Sequence, residues 1–164
     1  MSAERLTHID ASGHARMVDI SDKAVSARSA TARGRVNCSA EAVQRIADDS
    51  IAKGSVLDTA RLAGIMGAKR TSDLIPLCHP LALRHIDVDL RLDQSTTRGV
   101  VIEATARVEG ATGVEMEALT AVAIAGLTVI DMIKAVDHWA TITDITLVHK
   151  EGGRSGTLDR PTTA

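Results

Sequence analysis

Phenylalanine and tyrosine are absent from this 164-residue chain, and Trp139 is its only aromatic residue. Aromatic rings are the usual platforms for stacking bases, so their absence argues against a binder of single-stranded RNA or DNA. It also means that the core is built from Ala, Val, Ile, Leu and Met. Cysteine is scarce as well. Cys38 and Cys78 have 39 residues between them and form no CxxC pair, which excludes a disulfide framework and a zinc knuckle; reduced thiols in a cytoplasm are expected, with neither metal nor cofactor. Neither charge dominates. With 19 Lys and Arg against 21 Asp and Glu, the formal net charge is -2, so the chain is no general binder of nucleic acid and any positive charge must be local. Met1 to Asp10 lack the apolar centre of a signal peptide. The longest uncharged apolar run, Ala118 to Ile130, falls short of the ~20 residues that span a bilayer. A soluble, cytoplasmic, single-domain protein is expected.

What the chain does carry is periodicity. From Arg28 to Asn37, Ala30, Ala32, Gly34 and Val36 alternate with Ser29, Thr31, Arg33 and Arg35, the pattern of a half-buried strand. Ser39 reads as an N-cap with Glu41 in the first turn, and Val43, Ile46 and Ala47 extend a helix towards Ala52, which Lys53-Gly54 ends. A second helix is predicted from about Ser55 to Ser72. Its Ala60, Ala63, Gly64 and Gly67 leave one side nearly bare, and because glycine inside a helix costs about 1 kcal/mol against alanine, a close neighbour or ligand is expected there. Ile86, Val88, Leu90 and Leu92 alternate with polar residues, and beyond the turn Gln94 to Thr97 so do Val100, Ile102, Ala104, Ala106 and Val108, which together predict an antiparallel hairpin. A long helix follows from about Val114 to Val136, then a strand from about Thr141 to Lys150.

This order is the βαββαβ pattern, an α+β fold of ferredoxin-like type with an antiparallel sheet and helices packed on one face. Residues 1–27 read as an N-terminal arm, 28–151 as the domain, and 152–164 as a glycine-rich tail. The long helix is apolar all round in its middle, so a second copy of the chain is expected to cover the side that the sheet leaves bare.

Chemistry-bearing side chains gather between Lys69 and Leu81, where Lys69, Arg70, Asp73, Cys78 and His79 surround Pro76 and Pro80. The prolines stiffen the loop and hold Leu77 to His79 out of helical geometry, and a stiff loop can aim an imidazole suited to proton transfer near neutral pH. A tight connection with a buried Cys and a capping His explains the same residues. On the long helix, charges lie only at the ends: Glu115 and Glu117 at the start, Asp131 and Lys134 near the finish. Asp131 and Lys134 are close enough to pair, as in any helix-end ion pair, and both glutamates suit a helix N-terminus. Glu117 and Asp131 lie ~21 Å apart along a continuous helix. They share a small-molecule pocket only if the helix pairs head to tail with its copy from another subunit.

The runs Asp73-Leu74-Ile75-Pro76-Leu77-Cys78-His79-Pro80-Leu81 and Thr112-Gly113-Val114-Glu115-Met116-Glu117-Ala118-Leu119-Thr120-Ala121 resemble the MoaC family of molybdenum cofactor biosynthesis. So do Thr59 to Ile65, Ala68 to Thr71, Asp131-Met132, Lys134-Ala135-Val136, and the arm segments Leu6 to Asp10 and Met17 to Asp19. The resemblance spans nearly the whole chain. It implies an enzyme that converts 3',8-cyclo-7,8-dihydroguanosine 5'-triphosphate, the product of a radical SAM GTP cyclase, to cyclic pyranopterin monophosphate with release of pyrophosphate. It further implies a homohexamer arranged as a trimer of dimers, with sites between chains.

Asp131, Lys134, Lys53 and His79 fall on the family's catalytic positions, and Leu77, Cys78, His79, Glu115, Met116 and Glu117 on its substrate-binding segments. Lys69, Lys150 and Arg154 are further cations for a triphosphate, Arg154 standing where the family usually has lysine. In this reading Asp131 and His79 move protons while Lys134 and Lys53 hold phosphates. The alternative is a non-catalytic ferredoxin-like ligand-binding module using the same pocket.

Overall fold

The alternating runs become strands and the 3.6-residue runs become helices. The computed structural model describes residues 12–161, so the arm segment Leu6 to Asp10 and the last residues of the tail, 162–164, lie outside the described residues. In chain order the elements are β1 (Ser26–Asn37), α1 (Ala40–Ala47), α2 (Val56–Ala68), α3 (Thr71–Leu74), β2 (His85–Asp93), β3 (Gly99–Gly110), α4 (Glu115–Ile133), β4 (Thr141–Glu151) and β5 (Leu158–Asp159). They build one sheet of order β2-β3-β1-β4-β5 in which every neighbouring pair is antiparallel. β1 and β2 therefore flank β3 as in a split βαβ unit, the order expected of the ferredoxin-like pattern.

The sheet has two unlike faces, as period-2 alternation requires. Ala30, Ala32 and Val36 of β1, Val88 and Leu90 of β2, and Val100, Ile102, Ala104, Ala106 and Val108 of β3 are buried on one. α4 packs over β1, β3 and β4 on this side, and α2 over β2. The opposite face carries polar ladders. Thr31 bonds Thr105 across the β1–β3 pair at 2.8 Å, Arg33 pairs with Glu103 at 2.5 Å and Arg35 with Asp93 at 2.7 Å.

Three expectations meet a correction. The first helix ends at Ala47, not near Ala52: Asp49 takes a left-handed φ of 49°, and the Ser50 N–H returns to the Arg45 carbonyl, which leaves Lys53 in a loop. The second helix stops at Ala68 and restarts as the single turn α3, because the Arg70 N–H bonds the Gly67 carbonyl in a tightened last turn and the Thr71 hydroxyl caps Ala68. The glycine-rich tail does not end the sheet, since it reverses and adds β5 against His149 and Lys150. α4 has the sheet on one side and α2 beside it, and Leu127 of α4 and Leu62 and Met66 of α2 stand exposed. α4 is long and apolar enough to cross a membrane by length and composition alone, yet this placement is that of a core helix.

The bare side of α2 is where α4 lies. A Cβ on Gly67 would meet Ile124 Cγ1 at 2.7 Å and its Cβ at 2.9 Å, and one on Gly64 would meet the Ala121 carbonyl oxygen at 3.0 Å. Gly67→Ala is therefore expected to destabilise the fold by about 1–2 kcal/mol, overpacking outweighing the gain in helix propensity. A shift of the urea midpoint at unchanged slope measures it. Beyond α4, Asp137 ties the turn to the start of α1 by accepting the Ser39 N–H at 2.7 Å and the Trp139 N–H at 3.0 Å, and the Trp139 ring stands 89% exposed.

Candidate active site

The loop after α3 is stiff for the reasons its prolines give. Ile75, just before Pro76, is extended (φ -112°, ψ 109°), and the Cys78 N–H closes a turn on the Ile75 carbonyl at 3.1 Å. This brings Leu77, Cys78 and His79 to the N-terminal end of α4, where Glu115, Met116 and Glu117 leave the helix's first turn. Together they line a cleft of ≈ 280 Å³, completed by Val18, Ile20 and Lys23 from the arm and by Thr112 and Gly113. His79 Nε2 lies 2.8 Å from the Val18 carbonyl oxygen.

The two glutamates in this cleft differ. Glu115 is hydrogen-bonded by Lys150 from β4; burial pushes its carboxyl up, but the Lys150 hydrogen bond and charge, with Arg28 beyond, outweigh it and hold it below the usual range. Glu117 is 4% exposed, and burial, with the neighbouring Glu115 charge, raises its pKa. Lys150 thus lowers one carboxyl while burial raises its neighbour, so the two differ in proton affinity. Burial and the Glu117 charge also raise the Cys78 thiol, which stays protonated.

A second cleft of ≈ 610 Å³ shares Lys23 and Thr112 with the first and adds Arg28, Gly153, Arg154 and Ser155. Arg28 fixes its floor by donating to the Gly110 carbonyl at 2.9 Å and the Ala111 carbonyl at 3.1 Å. The tail passes so close that glycine is needed: a Cβ on Gly152 would lie 2.3 Å from the Ala27 carbonyl oxygen and one on Gly153 2.3 Å from Arg28 Nη1, both at positive φ.

The other group lies at the far end of α4. Asp131 Oδ1 accepts from Lys134 Nζ and Oδ2 from Lys53 Nζ, both at 2.8 Å, and Lys53 Nζ also donates to the Asp131 backbone carbonyl at 2.6 Å. The hydrogen bonds and charges of Lys134 and Lys53 hold the Asp131 carboxyl at about 2. Within one chain this trio and the His79 cleft sit at opposite ends of a 19-residue helix. Lys69 is exposed at the C-cap of α2 and is not among the cleft residues.

Val18, Ile20, Lys23, Arg28, Thr112 and Gly113 also line these clefts, though none is among the candidate site residues that the sequence offers. The signal was present in Asp19-x-Ser21, a pattern that turns the backbone and so can deliver neighbouring residues to a site.

A hydrogen-bonded imidazole, a carboxyl raised by burial beside one lowered by a lysine, and flanking lysines and arginines define a class: an α+β protein whose cleft suits proton transfer on an anionic small molecule. The MoaC family model matches residues 17–153. The chain is 57% identical over 156 residues to the cyclic pyranopterin monophosphate synthase of Parvibaculum lavamentivorans, covering 95% of this chain and 97% of that one. It is 59% identical over 151 residues to that of a Roseiflexus species (92% and 95% covered), and 53% over 160 residues to that of a Nocardioides species (98% of each). This chain belongs to the MoaC family.

Proposed function

We propose that this protein is a cyclic pyranopterin monophosphate synthase, a lyase of molybdenum cofactor biosynthesis that rearranges 3',8-cyclo-7,8-dihydroguanosine 5'-triphosphate and expels pyrophosphate. The observation that carries the reading is that, in a chain of this family, an acid–base cleft and a Lys53–Asp131–Lys134 trio occupy opposite ends of one helix. Two copies laid head to tail enclose one triphosphate between them, and three such dimers make the hexamer. The substrate comes from a radical SAM cyclase in the same cytoplasm.

Residue roles follow from the electrostatics. Lys53 and Lys134 offer ammonium groups to the phosphates and to the charge that grows as pyrophosphate leaves. Asp131, ionised far below neutral pH, is a weak proton acceptor, and its contribution is to hold both lysines in line. Proton transfer during ring opening and closure then belongs to His79 and Glu117, with Glu115 kept anionic by Lys150. Lys23, Arg28 and Arg154 border the cleft as further phosphate contacts, Arg154 as a planar fork where a lysine would be a point charge. Leu77, Cys78 and Met116 shape the apolar wall.

The test is direct. Incubated with the cyclic dihydro-GTP, the purified protein is expected to release one pyrophosphate per cyclic pterin formed. Saturable binding with no pyrophosphate would leave a ligand-binding module and end the enzymatic reading.

A further inference from the structure

We propose that residues 18–23 form a positioning strap, organised by Asp19, that fixes His79 as its Nε2–H tautomer and leaves Nδ1 as the nitrogen that exchanges protons with the bound substrate. The proposal rests on the enzymatic reading above for its consequence, though not for its geometry.

A backbone carbonyl only accepts, so the 2.8 Å contact between His79 Nε2 and the Val18 oxygen requires the hydrogen on Nε2. A neutral imidazole has one N–H, which leaves a lone pair on Nδ1, and Nδ1 has no hydrogen bond among the described residues. The hydrogen bond at one ring nitrogen thereby decides which nitrogen is the base. The carbonyl is held in place by a local device. Asp19 Oδ1 accepts both the Ser21 N–H at 2.9 Å and the Ser21 hydroxyl at 2.7 Å, and the Lys23 N–H closes on the Ile20 carbonyl at 3.0 Å. This Asx turn reverses the chain so that Val18, Ile20 and Lys23 all border the cleft, while Asp19 itself is exposed and lines none of it. Asp19 is thus a positioning residue: it lines none of the cleft and acts through the backbone of Val18, with its charge close enough to His79 to be felt there as well.

The test pairs nitrogen NMR of the imidazole in the substrate-free protein with kinetics, the His79 signals being assigned by their loss in His79→Gln. The wild-type protein is expected to show a protonated Nε2 and a bare Nδ1. Asp19→Ala removes the acceptor and is expected to mix the two tautomers and lower kcat about tenfold, with KM changed less than about twofold, because orientation and not binding is lost. Asp19→Asn keeps Oδ1 as acceptor and is expected to restore both tautomer and kcat. A wild-type His79 protonated on Nδ1, or an Asp19→Ala protein with unchanged tautomer, overturns the proposal. A wild-type protein with the expected tautomer that releases no pyrophosphate supports the strap and removes the enzymatic reading instead.

Discussion

Turnover by the Asp131→Asn variant is expected to fall by ~10²- to 10³-fold with no change in the unfolding midpoint. Asp131, Lys53 and Lys134 have side chains 57%, 45% and 60% exposed, and ion pairs that open to water contribute little to stability. If the trio were only a surface ion pair, the substitution would leave both activity and stability nearly unchanged. Asparagine keeps the shape but loses the charge that holds two ammonium groups on one carboxyl, so both lysines swing apart and the phosphates lose their anchor. The acid–base sign makes the result sharper. The folded pKa of Asp131 is depressed, so its contribution to the fold is fully present above the ordinary carboxylate value and is lost only as pH falls through about 2. The defect of the variant is accordingly expected to be the same from about pH 5 to pH 8, where the wild-type group stays ionised. A defect that vanished towards the acid end would show that Asp131 acts as a titrating base.

Mixing two inactive variants, Glu117→Gln and Asp131→Asn, is expected to restore activity to about one quarter of wild type after subunit exchange, because one in four sites then draws both intact residues from different chains. Glu117 and Asp131 are separated by ~21 Å of helix, too far for one small ligand within a chain. Subunit exchange is checked by native mass spectrometry of the mixture. Activity absent from exchanged oligomers would sink the shared site.

The sheet was the most legible part of the chain. Alternation at Ala30 to Val36, Ile86 to Leu92 and Val100 to Val108 assigns the buried face residue by residue, because a half-buried strand has no other way to sort its side chains. The bare side of α2 was equally plain, and Gly67 against Ile124 is its cause. Helix ends were not. α1 stops at Ala47 because Asp48 and Asp49 offer competing backbone geometry, which periodicity does not register.

At the site, the residues within contiguous motifs, Leu77 to His79 and Glu115 to Glu117, could be gathered from sequence because each run carries its own geometry. Arg28 and Lys23 could not. They reach the cleft from the start of β1 and from the arm, 82 residues or more from Gly110, through a fold whose pairing no local pattern announces. The Lys53–Asp131 contact is of the same kind, since it depends on where the loop after α1 lands.

Trp139 carries a consequence for anyone who follows this protein by light. The chain's one indole stands in water beyond α4, and among the described residues the buried interior carries no aromatic ring. Its emission is therefore expected to change little as that interior melts and to respond more to whatever settles on the outer surface.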